Sequence, residues 1–280
     1  VIYENKLYQL IYYKPTQEIL HQIPILIIPP WINKFYILDL RPENSFVQFL
    51  LSKGIPVFLM SWVNPDGSHY EISWDDYIKD GLLDAIDQTK KFYSIDFINT
   101  IGYCIGGTLL ALGLSYLNAR NLEYIKSASF FATITDFEDY GDMSIFISDE
   151  YLKTIKGLIK NHGYLHGQFF YQMFSFLRSN DITYGPAVKS YLMGKKPTRS
   201  DFLYWNSDST NFPGKMSLEW VEKFYRNNHY SKGNLKVLGQ KVNLEQISQP
   251  IIAVGALNDH IVPWKSSFNG LSKTSGEKVF

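Results

Sequence analysis

The chain has 280 residues, of which 45% are hydrophobic and 19% are charged, so it can bury the core of one large globular unit. Lys+Arg and Asp+Glu both total 27, which leaves no excess of positive charge for a nucleic-acid backbone. A single cysteine excludes a disulfide framework and a cysteine-based zinc site. No apolar run reaches the ~20 residues of a membrane span, and no secretory signal is visible. Together with the free thiol, this predicts a cytoplasmic protein.

Apolar runs and amphipathic stretches alternate along much of the chain. The predicted strands are Ile25–Ile28, Val57–Trp62, Phe97–Tyr103, Ser127–Ala132 and Ile251–Gly255. The predicted helices are Ser45–Ser52, a long helix capped by Ser73, Gly106–Leu117 and Trp264–Ser272. Strands that alternate with helices predict an α/β fold with a mostly parallel, doubly wound sheet.

The alternation stops between Asp136 and Leu235, and this stretch holds 20 of the 45 Phe, Trp and Tyr residues. We interpret residues 136–235 as a lid inserted between two parts of the core, residues 1–135 and 236–280. The alternative is a second layer of ordinary core. The chain does not begin with Met, and Glu277–Phe280 is typical of the start of a strand, so we expect a piece of a longer protein.

The segment Gly102–Gly107 carries the most specific chemical signal, because it joins a predicted strand to a predicted helix and has Cys104 at its centre. It matches the G-x-nucleophile-x-G elbow, with cysteine in place of serine. The small residues Gly102 and Gly106 let strand and helix approach each other. A helix N-terminus favours the thiolate, and the N–H of Ile105 is a candidate oxyanion donor. The alternative is a buried cysteine that packs as a small apolar residue.

A second oxyanion donor is expected from the loop Pro29–Asn33, where the N–H of Trp31 or Ile32 follows a buried strand. In this type of site the acid and then the histidine come later in the chain. Asp259, just after Ile251–Gly255, is therefore the candidate acid, and the alternative for it is a surface turn aspartate.

The histidine base is harder to assign. Only His260 follows Asp259, and adjacent side chains in an extended turn diverge, so we expect the base beyond Phe280. His162 and His166 are four residues apart but lie in a loop-like stretch, so no metal site is predicted. No cofactor is predicted either.

Several long motifs in one order resemble the polyhydroxyalkanoate synthases, and most closely the class I type that works without a separate subunit on short-chain monomers. The motifs are Pro29–Leu40, Ser61–Asp66, Gly102–Leu109, Leu177–Asp181, Leu203–Asp208 and Asp259–Lys265.

The resemblance implies an α/β-hydrolase fold with a lid and a Cys-His-Asp triad, in which Cys104 is the nucleophile and Asp259 the acid. His260 matches a residue beside the acid, and the family's histidine lies in a later motif. The implied function is an acyltransferase that polymerises (R)-3-hydroxyacyl-CoA, such as 3-hydroxybutyryl-CoA, with CoA as a product. The implied partners are the polymer granule in the cytoplasm and a second copy of the chain, bound through the lid. The alternatives are a thiol-dependent hydrolase or simple acyltransferase, and an inactive piece that binds polymer or dimerises.

Overall fold

The computed structural model describes residues 1–15, 17–141, 143, 147–177, 184–196, 200–259 and 261–280. The strands are β1 (Tyr3–Glu4), β2 (Tyr8–Tyr13), β3 (Ile25–Ile28), β4 (Asp39–Arg41), β5 (Asn44–Ser45), β6 (Val57–Trp62), β7 (Ile98–Tyr103), β8 (Ile125–Phe131), β9 (Tyr164–Leu165), β10 (Phe212–Pro213), β11 (Leu235–Val237), β12 (Gln240–Val242), β13 (Ile251–Val254) and β14 (Lys278–Val279).

The helices are α1 (Phe46–Ser52), α2 (Trp74–Asp76), α3 (Asp84–Tyr93), α4 (Ile105–Ala119), α5 (Asp149–His162), α6 (Gly167–Leu177), α7 (Gly185–Ala187), α8 (Asp201–Ser207), α9 (Gly214–Glu219) and α10 (Trp264–Ser272). π-Helical segments of the described chain include Tyr77–Leu83, Val188–Leu192 and Trp220–Arg226. Its 3₁₀ turns include Phe35–Leu38, Gly67–His69 and Leu244–Gln246.

One sheet of eight described strands, in the order β1-β2-β6-β3-β7-β8-β13-β14, forms the centre of the protein. The two pairings of β2, with β1 and with β6, are antiparallel. The other pairings, from β6 to β14, are all parallel. The predicted α/β class, with the mostly parallel sheet of the α/β-hydrolase fold, is confirmed.

The core is built by apolar side chains on both faces of the central strands. Leu26, Ile28 and Phe58 on the sheet are fully buried, as are Leu109 and Leu110 on α4. Each such side chain contributes ~1.5–3 kcal/mol of hydrophobic stabilisation. Helix α4 is apolar nearly all round, because it packs between the sheet on one side and the segments Tyr77–Leu83 and 240–246 on the others.

The parallel strands β3, β7, β8 and β13 lie side by side and point the same way. Their carboxyl ends therefore meet at one edge of the sheet, where ligands bind in open α/β folds. The loops that leave this edge begin at Pro29, Cys104, Ala132 and Gly255. Two of these loops carry the candidate nucleophile and acid, and a third carries the candidate oxyanion donors.

Candidate active site

Cys104 occupies a strained turn between β7 and α4. Its backbone angles are φ 55° and ψ −129°, in a region that a residue with a side chain rarely adopts. The turn is held by the N–H of Cys104, which donates to the carbonyl of Phe131 at 2.9 Å, and by the carbonyl of Cys104, which accepts from the N–H of Gly107 at 2.9 Å. The strained conformation is therefore fixed from both sides of the cysteine.

Three glycines let the elbow pack this closely. A Cβ on Gly102 would lie 2.5 Å from the Cα of Gly107, and a Cβ on Gly106 would lie 2.3 Å from the carbonyl oxygen of Ile28. A Cβ on Gly107 would lie 2.0 Å from Oγ1 of Thr133. These distances agree with the prediction that Gly102 and Gly106 let the strand and the helix approach each other. They show the same requirement at Gly107, which the sequence motif alone did not single out.

The side chain of Cys104 lines a small, apolar cavity of about 40 Å³. A water molecule needs ~10–15 Å³ of such space, so the cavity holds a few waters and not an acyl thioester. Its other lining residues are Ile32, Ile105, Thr108, Ala132, Ile134, Phe137, Met143, Met173, Trp220, Tyr225, Ile261 and Val262. Cys104 is partly exposed, but the cavity beside it is too small for the substrate.

Burial raises the pKa of the Cys104 thiol to about 11. A hydrogen bond from the N–H of Ile105 works in the opposite direction, and the negative charge of Asp259 raises the pKa further. The helix N-terminus thus acts in the predicted sense, but desolvation outweighs it. At neutral pH this thiol is protonated, so nucleophilic attack requires a base that removes its proton.

Asp259 lies in the turn after β13. Its Oδ1 atom accepts hydrogen bonds from the N–H groups of Ile261 and Val262, both at 2.9 Å. Within the described residues, Oδ2 has no hydrogen-bond partner, so it is available to orient a neighbouring group. Ile261 and Val262 also line the cavity of Cys104, and the carboxylate therefore shapes one wall of the site.

The five described histidines lie outside the cavity, and none of them is placed to take the proton of Cys104. His69 bonds Asp66, and Nδ1 of His166 accepts from the N–H of Gln168. His260 lies outside the described residues, as do residues 178–181 of the motif Leu177–Asp181. No group of three metal-ligating side chains occurs in the described part of the chain.

The two candidates for the second oxyanion donor have different surroundings. Ile32 lines the cavity with Cys104, whereas the Trp31 side chain is fully buried in an aromatic cluster. The other rings of that cluster are Trp62, Trp74, Tyr77 and Phe212. The carbonyls of Trp31 and Ile32 both accept hydrogen bonds from Thr210.

Residues of the aromatic segment 136–235 cover the nucleophile, and the sequence did not identify them individually. The cavity wall contains five of them, namely Phe137, Met143, Met173, Trp220 and Tyr225. Burial raises the pKa of Tyr225 above its ordinary value, and the neighbouring Cys104 raises it further. The movement of this segment as a lid stays a prediction.

Comparison with known proteins gives one consistent family. The family model described as "Poly-beta-hydroxybutyrate polymerase (PhaC) N-terminus" matches residues 1–50. A poly(3-hydroxyalkanoate) polymerase of Methylorubrum extorquens is 39% identical over 99% of this chain and 46% of its own length. The corresponding PhaC subunits are 38% identical in Rhizobium meliloti, over 100% of this chain, and 37% identical in Cupriavidus necator, over 96%. Those two alignments each cover 46% of the relative's own length, so the chain spans about half the length of these relatives.

Solved structures agree on the fold. A candidate lipase from Sulfolobus solfataricus has a TM-score of 0.53 and 15% identity, over 92% of this chain and 78% of that one. A candidate hydrolase from Agrobacterium vitis S4 has a TM-score of 0.53 and 11% identity, over 100% of this chain and 87% of that one. Within the described residues, no helix has the length and apolar character that crossing a membrane requires.

Proposed function

Because the chain is a homologue of the poly(3-hydroxyalkanoate) polymerases and spans about half of their length, we propose that it forms the acyltransferase core of such an enzyme. Its substrate is a (R)-3-hydroxyacyl-CoA, such as 3-hydroxybutyryl-CoA, and its products are a polyester and CoA. The observation that carries this proposal is the single thiol at a strained elbow that lines a small apolar cavity.

The first step transfers the acyl group to the enzyme. The thiolate of Cys104 attacks the thioester carbonyl carbon, a new carbon–sulfur bond forms, and the bond to the CoA sulfur breaks. The proton taken from Cys104 is returned to the CoA thiolate. One thioester replaces another, so this exchange is close to balanced in free energy, and the acyl group remains reactive.

The second step extends the polyester. The 3-hydroxyl oxygen of the next unit attacks the carbonyl carbon bound to Cys104, an ester bond forms, and the sulfur leaves as thiolate. Both steps pass through a tetrahedral oxyanion, for which the N–H groups of Ile105 and Ile32 are the proposed donors. Both steps also require a base, first for the thiol and then for the hydroxyl.

The proposed base is a histidine oriented by Asp259. Since the pKa of Cys104 is raised to about 11, a base near the sulfur is needed for reaction at neutral pH. The fixed Oδ1 and unpartnered Oδ2 of Asp259 suit the orienting role of a triad acid. In the related polymerases we expect this histidine in the part of the sequence that follows Asp259.

The proposed lid excludes water from the thioester, which hydrolysis would otherwise release as a free acid. A second apolar cavity of about 30 Å³ adjoins the first and shares four lining residues with it, namely Met143, Met173, Trp220 and Tyr225. Movement of these four side chains would join the two spaces. The joined space offers an apolar path for the acyl chain, and lid opening is the proposed entry step.

The surface of segment 136–235 has features of a partner-binding face. Apolar side chains of 188–193 and 202–204 are exposed, and the largest exposures are those of Tyr191 at 89% and Leu192 at 79%. Contiguous exposed apolar side chains mark interaction sites on soluble proteins. We assign this face to a second copy of the chain or to the polymer granule in the cytoplasm.

The test of the function is an assay with 3-hydroxybutyryl-CoA of the chain and of a full-length polymerase that contains it, because the expected base follows Asp259. Mass spectrometry should show one or more 3-hydroxybutyryl groups on Cys104, and CoA should be released in the same amount as acyl groups are transferred. Ester-linked oligomers support the polymerase. Stoichiometric free 3-hydroxybutyrate would instead identify a thiol-dependent hydrolase, and an unmodified protein would identify an inactive piece.

A further inference from the structure

Thr210 holds the loop that follows β3 with two hydrogen bonds. Its hydroxyl donates to the carbonyl of Trp31, and its N–H donates to the carbonyl of Ile32 at 3.2 Å. Thr210 is only 3% exposed, so water does not compete for these bonds. It lies after α8 in the segment 136–235, and it therefore joins that segment to the carboxyl end of a core strand.

The first of these bonds determines where the N–H of Ile32 points. The carbonyl of Trp31 and the N–H of Ile32 belong to the same planar peptide group and point in opposite directions. Because the hydroxyl of Thr210 fixes the carbonyl, it also fixes the N–H. Within the described residues, this N–H donates to no acceptor, and Ile32 lines the cavity of Cys104.

Neighbouring contacts hold the rest of the loop but do not reach this peptide group. Nε1 of Trp205 donates to the carbonyl of Lys34 at 2.7 Å, and the hydroxyl of Tyr36 donates to Oδ2 of Asp208 at 2.8 Å. These bonds anchor the chain two to four residues further along. The orientation of the peptide between Trp31 and Ile32 depends on Thr210.

We propose that Thr210 is a positioning residue of the oxyanion hole: it aims the N–H of Ile32 at the oxygen that becomes negative when Cys104 attacks a thioester. This inference rests on the proposed acyl transfer. The hydroxyl of Thr210 does not touch the substrate, and it acts through the peptide group. Segment 136–235 would thereby contribute to transition-state stabilisation as well as covering the site.

The test separates oxyanion stabilisation from thiol reactivity. Attack on 3-hydroxybutyryl-CoA passes through an oxyanion, whereas alkylation of the same thiol by iodoacetamide does not. Both reactions use the thiolate of Cys104, so the ratio of their rate constants cancels any change in its pKa. Both rates are measured in a full-length polymerase that contains this sequence, because acylation requires the base expected after Asp259. Each modification is read by mass spectrometry on the peptide that carries Cys104.

Thr210→Val keeps the shape of the side chain and removes the hydroxyl. Loss of one oxyanion donor reduces rates ~10²–10³-fold, and a misaimed donor should reduce the acylation-to-alkylation ratio by about 10- to 100-fold. Thr210→Ser restores the hydroxyl and should return the ratio to within about threefold of the wild type. Thr89→Val is the matched control, because Thr89 also donates to a buried carbonyl, that of Ala85 at 2.8 Å, but lies on α3 away from the cavity.

An unchanged ratio in Thr210→Val, with the wild type acylated normally, would overturn this inference and leave the proposed function standing. An equal loss of both reactions would also overturn it, because that result describes general misfolding. A full-length wild-type polymerase in which Cys104 is alkylated but never acylated would overturn the proposed function and this inference together. If Thr210→Val does not fold, the same ratio in Thr210→Ala decides the question.

Discussion

Asp136 and Lys273 form an ion pair, with Oδ2 and Nζ 2.6 Å apart, that ties the first residue of the segment 136–235 to the end of α10. The other oxygen of Asp136 accepts from Nδ2 of Asn228 at 2.7 Å, and Oδ1 of Asn228 accepts from the N–H of Phe137 at 3.0 Å. Asn228 lies near the far end of the same segment. The carboxylate thus joins both ends of the proposed lid to the core.

The first prediction concerns acid stability. Burial raises the pKa of Asp136, but hydrogen bonds from Lys273, Asn228 and Ser231 outweigh it, so the pKa is lowered overall. A carboxyl whose folded-state pKa lies below its unfolded value stabilises the protein above the unfolded value of ~3.9. That stabilisation is lost as the pH falls through the folded value.

Asp136→Asn should therefore lower the free energy of unfolding by about 1.5–3 kcal/mol at pH 7, as for hydrogen bonds to a charged group, and by much less at pH 3. Urea unfolding at both pH values measures this. Glu222→Gln is the control, because the Glu222–Lys156 pair is half exposed and its loss should change little. An equal loss at pH 3 and pH 7 would show that the charge of Asp136 is not what stabilises the fold.

The second prediction concerns the nucleophile. In a full-length polymerase that contains this sequence, Cys104→Ala should abolish acylation by 3-hydroxybutyryl-CoA and polymer synthesis while leaving the circular dichroism spectrum unchanged. Cys104→Ser should keep a trace at most, because the serine alkoxide is harder to form than the thiolate. Acylation of Cys104→Ala at the wild-type rate would show that another residue is the nucleophile.

The third prediction concerns the acid in a full-length polymerase that contains this sequence. Asp259→Asn should lower turnover by orders of magnitude, as loss of the orienting acid does in other triads. The amide can still accept the two backbone hydrogen bonds at Oδ1, so the turn should survive. His260→Gln should lower turnover by a smaller factor. If both variants lost activity equally, the base would have to be reassigned to His260.

The fourth prediction concerns the ionisation of Cys104. Because burial raises its pKa to about 11, the rate of alkylation should rise about tenfold per pH unit and reach no plateau below pH ~10. Asp259 adds to this rise, so Asp259→Asn should lower the pKa and increase the alkylation rate at pH 8. The same variant would therefore be faster in alkylation and slower in turnover. A plateau near pH 7 would show that the thiolate is already formed in the isolated chain.

Local sequence signals were sufficient for the parallel strands of the central sheet and for the turn that carries Cys104. β3 and β6 have the predicted bounds, because each is a short apolar run, with Pro29 closing the first and Pro56 preceding the second. β2 was not predicted, since its buried Tyr8 and Leu10 alternate with partly buried residues and give no clear apolar run. The predicted helix after Ser73 contains the π-helical segment Tyr77–Leu83, whose extra residue per turn leaves no signal in the spacing.

The residues of segment 136–235 that line the cavity of Cys104 could not be predicted individually. Trp220 and Tyr225 lie more than 100 positions from Cys104, and they reach its cavity only through the path that the chain takes between β8 and β13. The contacts of Thr210 with Trp31 and Ile32 have the same origin. Aromatic composition indicated the segment, but only tertiary structure shows which of its side chains face the thiol.

The last prediction concerns access to Cys104. The cavity around the thiol is about 40 Å³ and is lined by Trp220, Tyr225 and Met173, so we expect a bulky reagent to reach the sulfur only when these side chains move. Iodoacetamide should react slowly with the intact chain, and a bulky maleimide should react barely at all. Trp220→Ala removes part of the wall and should raise both rates, the maleimide rate by the larger factor. Removal of residues 136–235 should raise both rates further if the remaining core folds.

Phe92→Ala is the control for this test, because Phe92 is a large, exposed side chain on α3 and does not line the cavity. Its labelling rates should equal those of the wild type. The comparison is made at one pH, so that the fraction of Cys104 present as thiolate affects the two labelling rates equally. The ratio of the two rates then reports on the size of the opening alone. Fast labelling of the intact chain by both reagents, at similar rates, would show that the site is open and that segment 136–235 does not act as a lid.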